Sequence, residues 1–330
     1  MTASFQPLPL LRNPHVQTVL GNLLRGPQLP LASTMHQVAL PDGDRLAIHD
    51  SISDRWRPGN PIGVFVHGLG GDHRSAYLRR IARHLLPHGW RVVRVDLRSC
   101  GKGLRLARRP YHAGSSDDVR AVLETVHHWS PVSPLALAGF SLGGNIVLKL
   151  AGEAAEHPIP ELMKVAAVAP PIDLQRCSDL LALPHNRFYE RRFLRELLDL
   201  ARRRRHCFPD LPRVSFPAPL TVPIFDDLYT APRNGFAGVA DYYQRASAAP
   251  LVERIAVPTL IVTARDDPFI AVEPFEALRL PTNVELRILQ HGGHLGFLGW
   301  DGVGGIRWAE RQVVDWLVGP RPSGRIARRG

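Results

Sequence analysis

Cysteine is scarce in this chain. Cys100, Cys177 and Cys207 are the three among 330 residues, far apart and with no Cys-x-x-Cys spacing. That excludes a disulfide framework and a thiolate zinc site, and leaves reduced thiols in a cytoplasmic protein as the expectation. Long apolar runs are missing too. No stretch approaches the roughly 18 apolar residues that span a bilayer. Pro7, Pro9, Pro14, Pro27 and Pro30 interrupt the N-terminal region, so no signal peptide is read and a soluble protein is expected. Several chemical signatures are also lacking. There is no His-Glu-x-x-His, no Walker loop, and no Gly-x-Gly-x-x-Gly after a first strand. His127 and His128 are adjacent, so on a helix they point about 100° apart and share one ion poorly. No metal and no organic cofactor is expected.

What is abundant is arginine, which carries most of a formal charge of +11. The arginines are dispersed, with clusters at 191–205 and 321–329. No binding module or ladder of alternating aromatic and basic residues accompanies them. They read as solvated surface rather than a nucleic-acid site, with weak association to an anionic membrane surface as the most they imply. Oligomeric state leaves no mark in the sequence.

An apolar fraction of 45% is ample for a core, and the length suits an α/β core carrying an insertion. Short β-rich runs alternate with helical patterns, which predicts a mostly parallel, eight-stranded-type sheet flanked by helices. Strands are expected at 35–40 and 45–50 (a hairpin), 62–66, 91–95, 135–138, 165–169, 259–263 and 284–289. Helices are expected at 74–88, 116–129, 142–155, 272–280 and 306–318. From 172 to 250 the alternation stops. Residues 188–205 instead place Leu194, Leu197, Leu198 and Ala201 at helical spacing, and the arginine run 202–205 sits at the end where cations suit the helix dipole. The expected organisation is an N-terminal arm (1–33), the first part of the core (34–170), a helical cap insertion (171–250), the second part of the core (251–319) and a basic tail without fixed structure (320–330).

The chemistry begins at Gly139-Phe140-Ser141-Leu142-Gly143, directly after the apolar run at 135–138. Gly-x-Ser-x-Gly between a buried strand and an apolar helix is a nucleophile elbow. A free serine hydroxyl needs a base, and the base needs an orienting acid. In a sheet of this kind they follow in the order acid, then histidine. Residues 259–263 end in Asp266-Asp267-Pro268, where Asp267 occupies the usual place of the acid and Asp266 is the alternative. The last strand runs into His291-Gly292-Gly293-His294, with His294 expected as base and His291 as competitor. The oxyanion needs two donors. The N–H of Leu142 is one, and the N–H of Leu69, in the loop His67-Gly68-Leu69-Gly70-Gly71, is the other. His67 and Asp72 also spell His-x4-Asp, a pattern of some acyltransferases and the less favoured reading of that loop.

The chain resembles the YheT-like branch of the α/β-hydrolase superfamily. The resemblance rests on Asn13-Pro14-His15-Val16-Gln17-Thr18, His67 to Gly71, Asp96-Leu97-Arg98-Ser99-Cys100-Gly101, Gly139 to Asn145, Asp266 to Phe269 and Gly292 to Phe297. The first of these is the most specific, because general α/β-hydrolases lack it. The resemblance implies a Ser141–His294–Asp267 triad, no cofactor, and carboxylesterase or lipid-ester hydrolase activity; the expected substrate is a small-molecule acyl ester of short to medium chain, with lipid esters included. Two alternatives stand beside it: an acyltransferase passing the acyl group to an alcohol, and a non-catalytic basic binding protein on a hydrolase scaffold.

Overall fold

A computed structural model describes residues 5–24, 26 and 30–320. The basic tail expected at 320–330 lies outside these residues from 321 onward. Eight strands make one sheet: β1 (Thr34–Ala39), β2 (Arg45–Ile52), β3 (Ile62–Val66), β4 (Arg91–Asp96), β5 (Leu135–Phe140), β6 (Leu162–Val168), β7 (Thr259–Ala264) and β8 (Val284–Leu289). Their order is β1-β2-β4-β3-β5-β6-β7-β8. β2 runs antiparallel to both its neighbours, and every pairing from β4 to β8 is parallel. The expected opening hairpin is β1–β2, with Val38 opposite Leu46.

The central strands are apolar on both faces because helices cover both. Alternate residues feed two cores. Val64, Val66 and Leu137 join one, whereas Phe65, Ala138 and Phe140 join the other. On the first face lie α3 (Ser116–Trp129) and α4 (Leu142–Glu153), through Val119, Val122, Ile146 and Leu150. On the second lie α2 (Ala76–Leu85) and the helix Trp308–Val318, through Leu78, Ile81 and Val313. This double covering is the usual packing of a parallel sheet.

Between β6 and β7 the described residues form no strand. The chain instead makes α5 (Leu174–Leu181), α6 (Arg187–Cys207), a turn at Val222–Phe225 running into a π-helical turn Asp226–Thr230, and helices Val239–Ala246 and Ala249–Val252. Ahead of β1, α1 (Pro14–Leu23) starts sharply. Asn13 caps it by accepting from the N–H groups of His15 and Val16 at 2.9 and 3.1 Å.

Two local expectations change. The helix expected at 272–280 shrinks to Glu273–Glu276. Pro281 biases the residue before it away from helix, and the Asn283 amide pins the next turn to the Ile255 and Val257 carbonyls. The arginine run ending α6 is not all solvated. Arg204 is fully buried, and its guanidinium donates to the Tyr229 hydroxyl and the Arg108 carbonyl.

Candidate active site

β5 delivers Ser141 to the sheet rim, and α4 begins at the next residue. The serine is held at φ 52°, ψ −124°, a conformation that costs a side-chain-bearing residue about 1–3 kcal/mol. The surroundings enforce it. The Ser141 N–H donates to Val168 O at 2.9 Å, and the N–H groups of Gly144 and Asn145 close onto Ser141 O. A Cβ on Gly139 would collide with the Gly143 carbonyl, and one on Gly143 with the carbonyls of Val66 and His67. Both elbow positions therefore need glycine.

The loops after β7 and β8 supply the other two groups. His294 Nε2 lies 2.8 Å from Ser141 Oγ. His294 Nδ1 lies 2.8 Å from Asp267 Oδ2. The Asp267 side chain is wholly buried, and its second oxygen accepts from the N–H groups of Phe269 and Ile270 at 3.1 and 3.0 Å. That fixes the carboxylate and leaves one oxygen for the imidazole. The Phe269 ring packs on the histidine, centroids 4.2 Å apart. Asp266 turns the other way, accepting from the Gly293 N–H at 2.9 Å and meeting His291 Nδ1 at 3.2 Å. Burial raises its pKa above the ordinary value, and the Gly293 and His291 bonds oppose that rise. Asp266 and His291 thus brace the loop that carries His294.

The glycine-rich loop after β3 passes directly over the serine. A Cβ on Gly68 would lie 3.1 Å from Ser141 Cβ. Three of its amides have acceptors: Gly68 donates to the Tyr77 hydroxyl and Gly70 to the Tyr111 hydroxyl, both at 3.0 Å, and Gly71 to Gly68 O at 3.1 Å. Among the described residues the Leu69 N–H has none. The Leu142 N–H opens α4 and so has no acceptor within its helix. His67 is fully buried. Its Nδ1 faces Gly68 O at 2.7 Å, while Nε2 accepts from the Leu97 N–H at 3.2 Å. Burial pushes its pKa down, so the ring is a neutral brace for the loop. Asp72 pairs instead with Arg74. The His-x4-Asp reading therefore finds no shared site. Tyr77 and Tyr111 had no sequence signal as partners of this loop.

Two cavities meet at Ser141, and Leu69, Phe193 and Phe269 line both. One, of about 140 Å³, is walled by apolar and aromatic groups including Leu174, Leu181, Phe193, Phe225 and Tyr242. Most of that wall comes from the helical segment between β6 and β7. Its one carboxyl is Asp226, held by Thr230 Oγ1 and the Tyr243 hydroxyl at 2.7 and 2.9 Å. Burial pushes this group up to about 6. The second cavity, of about 330 Å³, is mixed, with more polar groups on its wall than the first. It holds His294 and Gly68 with the ion pairs Arg80–Glu310 and Arg192–Glu196.

A second histidine–carboxylate cluster lies elsewhere on the sheet. Asp96 ends β4 and receives His49 Nε2 at 3.1 Å and His73 Nδ1 at 2.9 Å. It also accepts the backbone N–H groups of His73 and Lys102 at 2.6 and 2.8 Å. Burial alone would raise the Asp96 pKa, but the bonds from His49 and His73 outweigh it and hold it well below the carboxylate range. All three side chains fall within metal-ligand reach of one another. The imidazoles, however, stack at 3.4 Å and 12°. Parallel rings that both address one carboxylate do not converge their lone pairs on an ion about 2 Å away.

No described helix is long and apolar enough to cross a membrane. The family model for the alpha/beta hydrolase fold matches residues 64–299. Among curated proteins, the Escherichia coli protein YheT, provisionally named an esterase, is 33% identical over 96% of this chain and 94% of its own. Human phospholipase ABHD3 is 27% identical over 72% of this chain and 59% of its own. Among solved structures, a 2,6-dihydroxy-pseudo-oxynicotine hydrolase superposes with a TM-score of 0.60 over 95% of this chain and 75% of its own, at 15% identity. The likeness in sequence and in sheet topology leads to one assignment: the chain belongs to the alpha/beta hydrolase fold family, in the branch that contains YheT.

Proposed function

We propose that the protein is a serine carboxylesterase. The observation that carries this reading is the unbroken hydrogen-bonded line Ser141 Oγ–His294–Asp267 at the mouth of two cavities. His294 takes the Ser141 proton as the oxygen attacks an ester carbonyl, and Asp267 holds the ring and balances its charge. The Leu69 and Leu142 N–H groups receive the oxyanion. The alcohol leaves with the proton from His294, and a water activated by the same ring cleaves the acyl-enzyme.

The contrast between the cavities supports a division of the substrate between them. The acyl chain lies in the apolar cavity, whose size favours short to medium chains. The alcohol half faces the second, more polar-lined cavity. Residues 171–250 act as a cap that sets the length of the acyl site, and a lipid ester fits the same division. The name of the human relative, a phospholipase, agrees with an acyl ester substrate. Hydrolysis of a p-nitrophenyl ester series by the purified protein tests the proposal. The expected result is turnover that peaks at short or medium chains and fails in Ser141→Ala. Turnover that survives this substitution contradicts it.

A further inference from the structure

Residues 13–18, the most distinctive motif of the sequence, take no part in the chemistry just described, yet they meet the loop that presents His294. Gln17 is fully buried. Its Nε2 donates to Leu11 O at 2.7 Å and Leu298 O at 3.2 Å, and its Oε1 accepts from the Leu298 N–H at 2.7 Å. Thr18 Oγ1 accepts from the His294 N–H at 2.9 Å and donates to Pro14 O at 2.7 Å. The fit has no slack. A Cβ on Gly293 would come 2.7 Å from Thr18 Oγ1, and one on Gly296 would come 2.6 Å from Gln17 O.

The loop needs holding. Gly293, Leu295 and Phe297 all have positive φ, at 54°, 56° and 40°. Two of these three carry side chains, which disfavour that region. Such a backbone persists where its surroundings over-determine it. The same helix also reaches α6. His15 Nδ1 lies 2.9 Å from the Tyr189 hydroxyl, with the rings stacked at 5.7 Å. The Asn22 amide oxygen, turned as its neighbours require, accepts from Arg192 at 2.7 and 3.1 Å. Tyr189 in turn packs on Phe269, the ring that covers His294.

We propose that α1 is a positioning strap for His294. Thr18 and Gln17 fix the strained histidine loop, and the His15–Tyr189 contact ties that hold to the position of α6. Thr18 and His15 are positioning residues, and the proposal rests on the triad reading above.

Thr18→Val removes the hydroxyl at nearly constant volume. The expected result is a fall in kcat of roughly 10- to 100-fold, the penalty of a small misplacement of a catalytic group. KM stays near wild type, the melting temperature falls by no more than a few degrees with the protein still fully folded at the assay temperature, and Thr18→Ser recovers the rate. An unchanged kcat, or a loss that only tracks the folded fraction, overturns the proposal. Should Thr18→Val not fold, His15→Phe decides. It keeps the stacked ring and loses the bond to Tyr189, and a several-fold loss of kcat at wild-type stability is expected. Wild-type kcat in that variant overturns the strap. Fluorophosphonate labelling separates this failure from that of the triad. Absent labelling of wild-type Ser141 removes the triad, whereas normal labelling with an indifferent Thr18→Val removes the strap alone.

Discussion

Two histidine–carboxylate clusters share this sheet, and they differ in what the carboxylate has left to give. Asp96 is saturated. Two imidazoles and two backbone amides fill its acceptor sites, and among the described residues neither ring is hydrogen-bonded to a hydroxyl. Asp267 is only half engaged by backbone, so its free oxygen orients one imidazole whose far nitrogen reaches a serine. The ingredients are nearly the same. The difference is an outlet: a glycine-rich loop with an unused N–H, a helix N-terminus, and space for a substrate. Asp96 binds β2, β4 and the loop after β3 together, whereas Asp267 leaves the far nitrogen of its histidine to Ser141.

The comparison is broken most forcefully at Ser141. Ser141→Ala is expected to lower kcat/KM by roughly 10⁴-fold or more with the fold intact, because nucleophile and base act as a unit. Asp267→Asn comes next. It favours the wrong tautomer of His294 and is expected to cost about 10⁴-fold in kcat. Asp266→Asn disturbs only a brace of the loop and costs far less. Steady-state kinetics on the pair checks the order, and a reversed order exchanges the two carboxylates.

Asp226 supplies a pH signature. Its carboxyl is raised from 3.8 to about 6 in the folded protein, so the folded state binds the proton more tightly than the unfolded one. Protonated Asp226 therefore favours folding, and that advantage is lost as pH rises through about 6. Asp226→Asn should accordingly gain of order 3 kcal/mol at neutral pH. The gain shrinks on acidification through about 6 and vanishes below 3.8. Denaturant melts across that range measure it, and a gain that grows on acidification contradicts the sign. The smallest effect is expected at the saturated cluster. His49→Leu removes one hydrogen bond to a buried carboxylate, about 2 kcal/mol, and lowers the melting temperature by a few degrees. Its kcat/KM should match wild type. A rate loss without a stability loss would move that cluster into the chemistry.

Much of this was legible in the sequence, for a local reason. Buried parallel strands are short apolar runs, and the elbow at 139–143 is a local steric demand, so both leave marks within a few residues. The order of Ser141, Asp267 and His294 follows from sheet topology. What stayed illegible depends on distant contact. Thr18 and His294 are 276 residues apart, and nothing near either announces the bond. Arg204 reads as one of a solvated run until Tyr229 and the Arg108 carbonyl close over it. Asp266 and Asp267 are chemically equal neighbours. They are separated only by the turn that aims Asp267 at the Phe269 and Ile270 amides and Asp266 at Gly293.

One measurement goes straight to the proposed nucleophile. The protein is treated with a fluorophosphonate, digested, and read by mass spectrometry. The expected result is a single adduct on Ser141, formed far more slowly in His294→Ala and absent in Ser141→Ala. Ester hydrolysis that persists with residue 141 unmodified, or an adduct on another residue that accounts for the activity, would contradict the account.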